Sequence, residues 1–162
     1  MKQFYRICLL ALMALFTVVC TNAQGLKIIT GHPDLKIKIK RCEISGSTCV
    51  VDMLIENVGS TDVYIEFFGG SYTKVYDDEG DVFTKGNVKV SLGNGKLGDY
   101  LSEKLHPEVP IKARLQIEGI PESVTMLKRI NLAMYSQPWG LNPAKDKFIV
   151  ISNIPISRDG DE

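Results

Sequence analysis

The chain has 162 residues, with 19 basic and 19 acidic side chains, a formal charge of zero, and 44% hydrophobic residues. That is enough for one domain around a single core. A balanced charge without a basic stripe argues against nucleic acid as a partner.

Residues 1–23 read as a signal peptide. Lys2 and Arg6 form a positive start, residues 7–19 an uncharged apolar run, and Thr21, Asn22 and Ala23 a small-residue region suited to cleavage before Gln24. The apolar run falls short of the roughly 20 residues a membrane-spanning helix needs, so no transmembrane span is expected in the mature chain. Cys20 directly follows the run and is a candidate for a lipid anchor, but Val19 before it is bulky where a small residue is usual, and ordinary cleavage is preferred. The mature protein is therefore expected to be exported: periplasmic, cell-surface or secreted. Its charge becomes 17 − 19 = −2 once Lys2 and Arg6 are lost.

Residues 24–34 read as a flexible leader. Residues 35–40, LKIKIK, then place aliphatics on one face and lysines on the other, the period of a half-buried strand. Of four cysteines, Cys42 and Cys49 remain after processing, on either side of a turn-rich segment. In an oxidising compartment a disulfide between facing ends of a hairpin is the expected state, worth on the order of 2 to 3 kcal/mol. The rival reading, a redox-active dithiol, lacks the tight spacing that lowers a thiol pKa.

Further strands are expected at residues 49–56, 62–68, 72–77, 82–84 and 88–92. Turn signals such as NVGS (57–60), Gly69-Gly70 and DEG (78–80) separate them. Residues 99–105 are the one candidate helix, about two turns, stopped by Pro107. Strands follow at 111–118, 129–135 and 147–154, and residues 158–162 read as a frayed acidic tail. Seven to nine strands with so little helix predict an all-β fold: an antiparallel immunoglobulin-like β-sandwich over residues 35–157, with a small β-barrel as the alternative.

The run VDMLIENVGSTD (51–62), then VYDDEGDVF (75–83), and the late stretch LHPEVP (105–110) leading to LQIEGIP (115–121) resemble bacterial extracellular immunoglobulin-like domains of unknown function. The likeness covers roughly residues 35–136. It implies an exported, non-catalytic binding or stability module and carries no site residues across. The cysteine pair and the glycine-rich loop around Gly93 depart from it.

Residues 93–98, GNGKLG, match a dinucleotide-binding fingerprint, with Glu118 where a ribose-binding acid would sit. The segment that follows is too short to cross back over a parallel sheet, so a surface loop is expected and no cofactor is called for. Asp77, Asp78, Glu79 and Asp81 suggest weak calcium binding, but they lack the spacing of a calcium loop and are better explained by a tight turn with Gly80 at positive φ. His32 and His106 each stand alone beside a proline, without the pairing a zinc site needs.

The aromatics give the most specific binding reading. Alternation over 62–68 sets Val63, Ile65 and Phe67 against Tyr64, Glu66 and Phe68. If the first set is core, then Tyr64 and Phe68, extended by Tyr72 and Tyr76 and joined by the loop residue Trp139, make a solvent-side patch. Such rings suit sugars or a protein partner. The competing reading buries their bodies and wets only their tips. The expected function is thus a non-catalytic exported module that binds an unidentified protein or glycan at the cell envelope. The alternatives are a small carbohydrate-active enzyme with two unmarked carboxylates and an inhibitor-like domain inserting residues 93–108 into a partner.

Overall fold

The computed structural model describes residues 25–137 and 148–158. Among them there is no helix. The strands are β1 (Lys27–Ile29), β2 (Leu35–Ser45), β3 (Thr48–Asn57), β4 (Val63–Phe68), β5 (Lys74–Asp77), β6 (Val82–Phe83), β7 (Val88–Leu92), β8 (Tyr100–Leu105), β9 (Ile111–Glu118), β10 (Met126–Gln137), β11 (Phe148–Pro155) and β12 (Ser157–Arg158).

They form two sheets. One runs β12-β2-β3-β9-β7. The other runs β1-β11-β10-β4-β8, with β5 pairing along the first half of β10 and β6 beside it. Lettering β2, β3, β4, β7, β9, β10 and β11 as A to G gives A-B-E-D against G-F-C, the strand order of an immunoglobulin-like sandwich. The fold is therefore the expected sandwich and not the barrel.

Alternation builds the core. Cys49, Val51, Met53 and Ile55 of β3, Val63, Ile65 and Phe67 of β4, and Leu115 and Ile117 of β9 point into the space between the sheets and are almost wholly buried. Each such aliphatic or aromatic side chain contributes about 1.5 to 3 kcal/mol by leaving water. In β2 the inward phase switches. Leu35 and Ile37 face inward, then Cys42 and Ile44, because a bulge between Ile39 and Arg41 inserts one residue against β3. Without it Cys42 and Ile44 would point to solvent.

Three strands exceed the expected count. Ile28 of β1 pairs with Ile151 of β11, so the supposed leader is partly sheet, and His32 is buried in the turn that follows, its Nδ1 accepting the Asp34 amide at 3.1 Å. Arg158, assigned to the tail, pairs in parallel with Ile44 through β12. The expected helix at 99–105 is β8, aligned with β4 from Tyr100↔Phe68 to Leu105↔Val63. Local helix preference there loses to a full ladder of backbone hydrogen bonds and to burial of Leu105. The signal segment and Cys20 lie outside the described residues.

Candidate functional site

The outer face of the larger sheet carries the aromatics. With Val63, Ile65 and Phe67 inward, Tyr64, Glu66 and Phe68 stand on the solvent side of β4. Register then fixes their neighbours: Phe68 lies between Ala133 of β10 and Tyr100 of β8, and Glu66 between Tyr135 and Ser102. Tyr64 lies opposite Lys104.

The Phe68 ring sits 5.3 Å from Tyr100, tilted 51°, and 5.7 Å from Tyr72, edge on at 65°. Tyr72 reaches it because residues 69–73 turn back after β4. The Tyr72 and Thr73 amides both donate to the Gly69 carbonyl, and the buried Thr73 hydroxyl donates to the Phe68 carbonyl while accepting the Ala133 amide at 3.0 Å. Tyr72 is 61% and Tyr100 50% exposed. The Tyr100 hydroxyl donates to Glu66 Oε1 at 2.8 Å, a bond that raises its pKa.

Beside this cluster, Asp62 meets Lys104 at 2.6 Å and His106 at 2.9 Å, and Lys104, then His106, hold its carboxyl below the usual range. The sheet thus offers tilted rings flanked by a polar, charged edge.

Of the expected patch, Phe68 and Tyr72 come together, while Tyr64 shares their face four residues back along β4, beside Lys104. Tyr76 shares the face but lies opposite Arg129, toward the far end of β10. Trp139 lies outside the described residues. Tyr100 and Tyr135 belong to the face and were not anticipated. Tyr135 was visible by alternation from Arg129, whereas Tyr100 was hidden inside the supposed helix.

Cys42 and Cys49 are both buried, with their sulfurs 3.6 Å apart and unbonded. They are not the facing pair expected. The two-residue turn Gly46-Ser47 pairs Ser45 with Thr48, which sets Cys42 opposite Val51 and Cys49 opposite Ile44, so the cysteines are diagonal. The hydrogen bond to Cys49, with burial, pushes the Cys42 thiol well above its ordinary range.

The glycine-rich loop is a surface turn whose three glycine amides are engaged: Gly93 donates to Lys112, Gly95 to Leu92 and Gly98 to Val90. In the acidic hairpin Gly80 adopts φ 97°, and Asp77 Oδ1 accepts the amides of Glu79, Gly80 and Asp81 at 2.8 to 3.0 Å. Asp78 is bound to Thr125. Among the described residues no three His, Cys, Asp or Glu side chains are grouped to hold a metal ion, and no helix is long and apolar enough to cross a membrane.

No protein-family model matches the sequence, and comparison with curated proteins finds no match. Solved structures do align. The apo PmoF2 PCuAC domain is 12% identical over 77% of this chain and 90% of its own, with a TM-score of 0.47. PapD-like domain 7 of human CEP192 is 18% identical over 80% and 87%, with a TM-score of 0.40. The periplasmic chaperone SfaE is 10% identical over 79% and 57%, with a TM-score of 0.39. At these identities and scores the likeness says nothing about activity.

Proposed function

We propose that this chain is an exported, non-catalytic binding module that takes a protein or glycan on the outer face of β4 and β8. The observation that carries the reading is the joining of Phe68, Tyr72 and Tyr100 into one solvent-side cluster while Phe67 next door fills the core. Large rings held in place lose little freedom on binding, so they make economical anchors. The inhibitor-like alternative loses support because much of residues 93–108 is committed to β8. The enzyme alternative also gains none: Asp52 and Asp62, whose ionisation is shifted, are shifted downward and neutralised by cations, the opposite of a raised general acid.

The test compares wild type with Tyr72→Ser/Tyr100→Ser on a glycan array and in cross-linking to the native envelope fraction. Loss of a wild-type signal in the folded double variant supports the reading. An unchanged signal removes it.

A further inference from the structure

The strand that carries Tyr100 is also an edge of its sheet. Among the described residues β8 pairs with β4 on one side and with no strand on the other. One bond fixes the phase of the ladder. The Gly69 amide donates to the Asp99 carbonyl at 2.9 Å, continuing the β4–β8 register, so at every second step Phe67↔Leu101, Ile65↔Glu103 and Val63↔Leu105 are the hydrogen-bonded pairs. The amides and carbonyls of Tyr100, Ser102 and Lys104 therefore point away from β4, about 7 Å apart along the edge. Among the described residues no backbone hydrogen bond reaches them, and the Lys104 amide is capped only by the Glu103 carboxylate, at 3.1 Å.

The other edges are closed or guarded. On β7 the outward groups are taken: the Val88 carbonyl by the Gly70 amide, Val90 by Gly98 in both directions, and the Leu92 carbonyl by the Gly95 amide. The stretch of β2 that β12 leaves uncovered carries a bulge and exposed lysines, which discourage pairing. β1, β6 and β12 are two or three residues long. β8 runs for six residues in unbroken register, and Tyr100, Ser102 and Lys104 are all exposed on it.

Open amides and carbonyls at every second residue match the edge of another extended polypeptide. A second copy of this chain is a poor occupant. Pairing β8 with itself about a two-fold axis keeps like faces together, and in the two registers of greatest overlap Glu103 then meets its symmetry mate directly opposite or on the diagonal, which is destabilising. Glu103 lies on the inner side of β8 and has no ion pair among the described residues. Beside it on that side, Leu101 is only partly buried at the margin of the core. The complementary strand thus carries a basic residue against Glu103, an apolar one against Leu101, and on its other face an apolar or aromatic one beside Tyr100.

We infer that β8 takes its partner by strand addition: an extended peptide segment with alternating apolar and basic side chains extends the sheet beyond β8, and Glu103 releases the Lys104 amide to pair with the incoming cation. This deepens the proposed function and rests on its reading of Tyr100 as an anchor.

Panning a random dodecapeptide library against the full mature chain tests it, followed by calorimetric titration of the enriched peptides and of their singly N-methylated forms. The expected result is enrichment of alternating apolar and basic peptides, with N-methylation weakening binding about tenfold or more at every second residue and little between. Ser102→Pro removes an outward amide that the fold does not use, a place where an edge strand tolerates proline, and should weaken binding as much while circular dichroism stays unchanged. Glu103→Lys should turn the selection from basic to acidic peptides. The inference is overturned if no peptide is enriched, if N-methylation shows no alternation, or if folded Ser102→Pro binds as wild type does. Sedimentation showing a dimer that Ser102→Pro dissolves would overturn it in favour of a second copy. A peptide or glycan lost in Tyr72→Ser/Tyr100→Ser but indifferent to Ser102→Pro would overturn strand addition and leave the aromatic face standing.

Discussion

Phe68 of β4 and Tyr100 of β8 are direct cross-strand partners whose rings meet on the solvent side of their sheet. Phe67, one residue earlier, is 1% exposed. Replacing Tyr72 and Tyr100 together by Ser should therefore lower stability by only about 1 kcal/mol or less, whereas Phe67→Ala should cost about 3 to 5 kcal/mol. Denaturant unfolding measures both. Similar losses would place the outer rings in the core and remove the basis for a binding face.

The diagonal cysteines make a second prediction. We expect exported protein to carry a Cys42–Cys49 disulfide, which must draw the sulfurs in from 3.6 Å to about 2 Å. Its reduction should lower the thermal midpoint, in keeping with about 2 to 3 kcal/mol for so short a loop. Mass spectrometry of unreduced protein gives the direct answer, and two free thiols would end the expectation.

Arg114, and with it Arg41, holds the Asp52 carboxyl below its ordinary range. A carboxyl whose folded pKa is depressed adds stability that is present above the unfolded value of about 4 and is lost as pH falls through the lower folded value. Asp52→Asn should flatten that part of the acid limb, and Arg114→Ala should do the same. Unfolding midpoints followed from neutral pH down to about pH 2 would refute this if the variants tracked wild type throughout.

Gly69 ends β4 at a close crossing between the sheets. A Cβ there would stand 2.9 Å from the Val88 carbonyl oxygen of β7, and the Gly69 amide donates to Asp99 at 2.9 Å. Gly69→Ala should destabilise by about 1 to 3 kcal/mol, because backbone rather than a flexible side chain must move. Gly25→Ala, with nothing within 4 Å, is the control. Equal stability of the two variants would disprove the crowding.

Strict alternation made β3, β4 and β9 readable, since each has one wet and one dry face. β8 was misread because its sequence, YLSEKL, places Glu103 on the same side as Leu101 and Leu105, blurring the period of two, while Pro107 imitates a helix stop. That error concealed Tyr100. The basic cluster around Asp52 on the other sheet was harder still. Its charge depends on a bulge, whose only trace in sequence is the change of phase from LKIKIK to RCEI, and on pairing between segments more than 60 residues apart, as Arg114 with Asp52 shows. Net charge averages such a cluster away.

The short strand β1 occupies the outer edge of β11, pairing with Val150, Ile151 and Ser152. Its few hydrogen bonds matter less for stability than for what they deny to other molecules. Trimmed beyond Thr30, the chain would present β11 as an unguarded, Ile-rich template, and neighbouring copies would be drawn to extend the sheet from one molecule into the next.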